Sequence, residues 1–188
     1  AGCGYGGSCF PKDIRALQNT AGEYGLHLSI LESVEKVNRA QKLSVLDKIR
    51  TRFGEHLDGK QFALWGLSFK PNTNDMREAP SRIVINGLVS RGASVNAYDP
   101  VAMKDAQKIY ADDKVVKFSD NPLSTLNNAE ALIILTEWKA FRSPDFDAIK
   151  NDLRNPIIID GRNLYDPSHM RDMGFEYISV GRPSNLLG

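Results

Sequence analysis

The chain has 188 residues, 41% of them hydrophobic and 25% charged, with a formal net charge of +1. That length fits one good-sized domain, or a domain with an appendage, and the near-neutral balance gives no electrostatic reason to expect nucleic acid or an anionic membrane surface as partner. No apolar run approaches the roughly 20 residues that span a bilayer, nothing resembles a signal peptide, and Cys3 and Cys9 alone make no disulfide framework, so a reducing cytoplasm is the expected setting.

The chain starts at Ala1, without an initiator methionine, inside the segment "GCGYGGSCFPKD" (2–13), and is therefore read as a fragment. Gly2, Gly4 and Gly7 have the G-x-G-x-x-G spacing of a dinucleotide loop. The fingerprint needs a strand before it and a helix directly after it. Only Ala1 precedes Gly2 and Pro11 follows the glycines, so the segment is not read as a cofactor loop. Pro11 to Ala21 is expected to form a short helix stopped by Gly22 or Gly25. Cys9 then lies at or just before a helix N-terminus, with Lys12 nearby. There, unpaired N–H groups and the positive dipole end favour a thiolate. A small buried cysteine capping the helix remains an equal alternative.

Leu28 to Phe53 carries the clearest helical period. Ile30, Val34, Val37, Gln41, Val45, Ile49 and Phe53 fall on one stripe at spacings of three and four. Such a helix is about 35–40 Å long, longer than a domain of this size needs for its own core. Either it is a long core helix or it packs on a partner subunit. A boundary is expected near 54–60. Beyond it, strands at 60–69, 94–99, 114–119, 130–136, 156–161 and 175–180 alternate with helices at 81–92, 100–110, 122–129, 145–153 and 167–174. Short runs rich in Val and Ile between helices imply an α/β fold: a long central helix followed by a doubly wound, mostly parallel, Rossmann-like sheet of five or six strands.

Two loops at strand ends join the cysteine segment as candidate sites. In "GLSFKPNTNDMREAPS" (66–81), Lys70 and Arg77 could hold phosphate oxygens where parallel sheets bind ligands, though a solvated charge cluster of Asp75, Arg77 and Glu78 is the plainer reading. In "IIIDGRNLYDP" (157–167), Arg162 is a reasonable anion contact, against a merely solvated arginine. Asp99 stands where a dinucleotide fold would place its ribose-binding acid, but a turn before Pro100 is preferred. His27, His56 and His169 show no metal-ligand spacing, and no metal is expected.

Taken together, "GYGGSCFPKD", "GLSFKPNTNDMRE" and "IIDGRNLYDP", in this order, resemble the UDP-glucose/GDP-mannose dehydrogenase family over nearly the whole chain, the UDP-glucose branch in particular. The resemblance implies a two-step oxidation of a sugar C6 alcohol with NAD, through a thiohemiacetal and a thioester on Cys9. It implies that Asp13 positions or activates the hydrolytic water and that Lys12 and Arg77 contact the cofactor. Tyr5 and Gly6, in a loop from Ala1 that wraps the sugar nucleotide, together with Phe69, Lys70 and Arg162, would contact UDP-glucose or a related nucleotide sugar. Residues 1–56 would hold the cysteine loop and central helices, with helix 28–53 forming a homodimer, and 57–188 the UDP-sugar-binding domain. The family's N-terminal NAD-binding domain is absent from this chain, so the isolated chain is expected to be inactive. A portion of a GDP-mannose or UDP-N-acetylmannosamine dehydrogenase, or a non-catalytic nucleotide-binding or dimerisation module, are the alternatives.

Overall fold

The computed structural model describes residues 2–182. Ala1, expected in the nucleotide-sugar loop, and residues 183–188 of the expected second domain lie outside the described residues. Two helices come first, α1 (Cys9–Glu23) and α2 (Ser29–Phe53). α1 begins earlier than its Pro11 suggested: Ser8 is the N-cap and Cys9 the first helical residue. α2 ends at Gly54, whose φ of 87° only glycine adopts cheaply, and Arg50 and Arg52 in its last turn suit the negative dipole end.

The rest is an α/β succession: β1 (Gln61–Trp65), α3 (Pro80–Val89), β2 (Ser94–Tyr98), α4 (Met103–Ile109), β3 (Val116–Phe118), β4 (Leu132–Ile134), α5 (Phe146–Asp152), β5 (Ile157–Asp160), α6 (Pro167–Asp172) and β6 (Glu176–Ser179). The six strands are all parallel, in the order β3-β2-β1-β4-β5-β6. Alternate residues of each strand feed two cores. Phe62, Leu64, Ile133 and Ile159 pack with α2 and α3 on one face, while Ala63, Trp65, Ile134 and Ile158 pack with α5 and α6 on the other. Among the described residues, no helix is long and apolar enough to cross a membrane.

The stripe on α2 divides. Val45, Leu46 and Ile49 are buried in the sheet's own core, whereas Ile30 and Val37 in the N-terminal half are 77% and 65% exposed. The long helix is therefore a core element for half its length, and along the rest it leaves Ile30 and Val37 uncovered while Asn38 is buried. The helix expected at 122–129 is not there. Only a single 3-10 turn forms, Leu123–Thr125, because Asn128 takes a left-handed φ of 60° and Trp65 Nε1 donates to Pro122 O and Thr125 Oγ1 at 3.0 and 2.9 Å, fixing the turn to β1. β1 also stops sooner than its apolar run, at Gly66. This glycine has φ 93°, and a Cβ on it would lie 2.6 Å from the Thr136 backbone nitrogen. Gly66→Ala is thus expected to destabilise by about 2–3 kcal/mol, read as a fall in urea midpoint at unchanged slope.

Candidate active site at the sheet switch point

β1 and β4 are neighbours in the sheet, and the chain crosses away from them on opposite sides, so a crevice opens beyond their carboxyl ends. Three loops line it: 66–79 after β1, 135–138 after β4 and 161–166 after β5. Asp99, fully buried at the end of β2, organises the first two. Its Oδ2 accepts from Leu67 N (2.7 Å), Ser68 N (3.1 Å), Ser68 Oγ (3.2 Å) and Trp138 Nε1 (3.0 Å). Its Oδ1 accepts from Val101 N and Ala102 N at 2.9 and 2.8 Å. Asp99 thus holds the turn after β2, as expected, and both of its oxygens are taken up by donors of the protein itself.

Arg162 ties the third loop to the others. Its Nε donates to Leu135 O at 2.8 Å and its Nη2 to Phe69 O at 3.2 Å, and Glu137 Oε2 lies 3.2 Å from Nε. The side chain is only 14% exposed, so it is not the solvated loop arginine of the plainer reading. Asp160 accepts from Arg162 N at 2.7 Å, fixing the turn that launches it.

Residues 2–8 run between this crevice and α2 as an extended loop. Asn38 brackets Tyr5, accepting from its N–H at 2.8 Å and donating to its carbonyl at 3.3 Å. Gln41 Nε2 donates to Gly2 O at 2.7 Å. Cys3 is buried against Leu135 O and Gly161, and burial pushes its thiol pKa up, with Arg162 opposing. Gly7 N donates to Arg77 O at 2.8 Å. The glycines serve close approach: a Cβ on Gly6 would meet Glu78 O at 2.5 Å, and one on Gly7 would meet the Phe69 ring at 2.8 Å. A groove of about 820 Å³ opens between this loop and the exposed half of α2, lined among others by Gly2, Tyr5, Ile30, Val37, Gln41 and Arg162.

Cys9 is exposed on the first turn of α1, and the buried-cap alternative is overturned; the buried cysteine is Cys3. Phe10 stacks edge-on with Tyr5 at 4.8 Å. Tyr5 OH donates to Glu35 Oε1 at 2.8 Å, and burial with that carboxylate pushes the phenol pKa up to about 12. Lys12 and Asp13 form an exposed pair at 3.3 Å. Asp13, four residues beyond Cys9 on α1, shares its face of the helix. Lys70 is exposed, with its Nζ 5.3 Å above the Phe69 ring. Arg77 is also exposed and makes a two-point contact with Asp75 (2.9 and 2.8 Å), which holds the Asp75 carboxyl below its usual range.

The structure thus gathers Tyr5, Gly6, Phe69, Arg77 and the Cys9 loop round one turn, and Arg162, bonded to Phe69 O, joins this cluster to the groove. The connection after β1 carries Phe69 through Glu78 where a cofactor-binding sheet has a glycine-rich turn, so this sheet does not seat a pyrophosphate in that manner. Arg77 and Lys12 are both exposed cations, each paired with a neighbouring aspartate, Asp75 and Asp13. Sequence reading missed Asn38, Lys42 and Glu137, and took Gln41 for a stripe filler. The signal was present: polar residues on the inward stripe of α2 need partners, and here they find the loop backbone.

The matches to known proteins follow this geometry. The UDP binding domain of the UDP-glucose/GDP-mannose dehydrogenase family matches residues 63–167, and the central domain of the same family matches residues 1–40. The chain belongs to this family. It is 44% identical over 186 residues to the UDP-glucose 6-dehydrogenase of Pseudomonas aeruginosa, covering 97% of this chain and 41% of that protein. With the UDP-glucose 6-dehydrogenase of Rhizobium meliloti it shares 39% identity, again over 97% of this chain and 41% of the relative. A UDP-glucose dehydrogenase structure from the hyperthermophilic archaeon Pyrobaculum islandicum superposes with a TM-score of 0.79 at 33% identity, covering 96% of this chain and 38% of that one. The chain therefore spans about two-fifths of the length of these family members.

Glu78 sits at the centre of the site, in contact with both α1 and α2. Arg15 Nη2 donates to its carboxylate at 3.0 Å and Lys42 Nζ lies 3.5 Å from it. Burial alone would raise the carboxyl, but Arg15 and Lys42 outweigh it and hold it below the usual carboxylate range. A depressed folded-state pKa gives stability that is present above the unfolded value, near 4.3, and is lost as pH falls through the folded one. The melting temperature should therefore decline below about pH 4, and Glu78→Gln should flatten that part of the profile in calorimetric scans.

Proposed function

We propose that the chain supplies the nucleotide-sugar-binding and thiol-bearing part of an NAD-dependent UDP-glucose 6-dehydrogenase, which converts UDP-glucose to UDP-glucuronate in two oxidations. The observation that carries the reading is Cys9, exposed on the first turn of a helix, directly after a loop that Gly7 N ties to the connection beyond β1. Arg162 and Lys70, with backbone groups of the Gly2–Gly6 loop, bind and orient the nucleotide sugar; Tyr5 and Phe69 shape its enclosure.

When bound, NAD+ supplies the hydride acceptor, held on this chain by Arg77 and Lys12. The Cys9 sulfur adds to the C6 aldehyde carbon while the aldehyde oxygen takes a proton, giving a thiohemiacetal. Its oxidation leaves a thioester. Asp13 orients and activates the water that expels the thiolate and releases the carboxylate. Thiolate suits both roles, because it attacks a carbonyl readily and departs readily from an acyl carbon.

The uncovered half of α2, with Ile30 and Val37 outward, supports pairing of two copies along this helix. The decisive experiment follows NADH formation by the intact enzyme with UDP-glucose and with GDP-mannose. Two NADH per UDP-glucose, ending in the uronate, are expected. A single NADH, or turnover of GDP-mannose in preference, would overturn the reading.

A further inference from the structure

The turn at Glu78 joins backbone strain, a buried cation and the thiol loop. Glu78 is a non-glycine residue at φ 55°, a conformation that persists only where its surroundings enforce it. Lys42 on α2 supplies that enforcement. It is 4% exposed, and its Nζ donates to the Glu78 carbonyl at 2.8 Å as well as approaching the carboxylate. A buried ammonium without partners is costly, so Lys42 is bound to this turn as firmly as the turn is to it.

The carbonyl that Lys42 grips is the one packed against Gly6, and the preceding carbonyl, that of Arg77, accepts the Gly7 N–H. The Glu78 carboxylate meanwhile reaches Arg15 on α1, the helix that Cys9 begins. One residue pair therefore touches the thiol's loop, the thiol's helix and the loop that carries Arg77.

We propose that Lys42 and Glu78 form a latch that fixes Cys9 and Arg77 relative to one another, making both of them positioning residues for the thiol chemistry. The inference rests on Cys9 being the nucleophile, and not on which nucleotide sugar is oxidised. The thiol's loop is tied to Arg77 through Gly7 N, and the thiol's helix to Glu78 through Arg15, so loosening the turn at Glu78 frees both attachments of the segment that carries Cys9.

The test is site-resolved alkylation of this chain by iodoacetamide at neutral pH, followed by mass spectrometry. Buried Cys3 serves as an internal reporter of opening. In Lys42→Met the Cys9 rate is expected to fall by about threefold, the scale of a weakened contact with a helix N-terminus once the start of α1 is no longer held in place, with Cys3 still protected. Lys42→Arg, which keeps the cation, is expected to recover most of the rate. If Lys42→Met instead opens the fold, so that Cys3 reacts as fast as Cys9, the test passes to Glu78→Gly. That variant removes the carboxylate and relieves the left-handed strain, and the same fall at Cys9 is expected in it. A wild-type Cys9 rate in either folded variant overturns the latch, because a purely structural role would move the melting temperature and leave Cys9 unaffected. Turnover by the intact Cys9→Ser enzyme tests the nucleophile separately, so the two failures are distinguishable.

Discussion

Serine in place of Cys9 is expected to cut uronate formation by the intact enzyme by about 10³-fold or more, on the order of 4 kcal/mol of transition-state stabilisation. An alkoxide is a far less available nucleophile at neutral pH than a thiolate, and an ester departs less readily than a thioester. The first oxidation makes no covalent bond to the enzyme, so it should continue in the variant and leave an aldehyde that a carbonyl reagent traps. UDP binding should hold, because Cys9 is exposed and its side chain meets residues 2–8 only at Ser8 Oγ, 3.7 Å away, while Asn38 and Gln41 fix the loop. Trapping no aldehyde, or making uronate within about tenfold of the parent rate, would remove Cys9 from the chemistry.

Cys9 was legible as a candidate because its neighbours in sequence, Pro11 and the glycines, already define a helix start. The parallel sheet was legible for a similar reason. Its strands are short apolar runs such as Ile157–Ile159, and the period changes abruptly at each helix. What escaped was what depends on contacts between distant segments. Residues 122–129 have helical spacing, but Trp65, nearly sixty residues earlier, holds Pro122 and Thr125 in a single turn. Asn38 and Lys42 look like solvent-facing interruptions of an apolar stripe until the 2–8 loop and Glu78 are laid across them. Arg162 reads as an anion contact or else a solvated loop arginine, but its enclosure was not legible, because it comes from carbonyls of two other strand ends that converge on it. In each case the local pattern was correct and the decisive partner lay elsewhere in the chain.

Asp99→Asn is expected to be the most damaging near-isosteric change in the domain, at about 3 kcal/mol. The Asp99 carboxylate is surrounded by donors on both oxygens, four on Oδ2 and two on Oδ1. An asparagine must turn its own N–H₂ toward one of these sets. If it faces the Oδ1 side, Val101 N and Ala102 N lose their acceptor and the turn into α4 loosens. If it faces the Oδ2 side, Leu67 N, Ser68 N and the Trp138 indole are left unpaired in a place water does not reach. Neither rotamer escapes the cost, unlike a surface Asp that simply reorients. For a chain of this size the loss corresponds to a fall of roughly 10 °C in melting temperature, and a fall under about 2 °C would contradict the argument. Function should suffer beyond stability, because Leu67 and Ser68 lead directly to Phe69 and Lys70. At a temperature where the variant is fully folded, UDP affinity should still be weakened, whereas Gly66→Ala, if it only costs packing, should recover its affinity once folded.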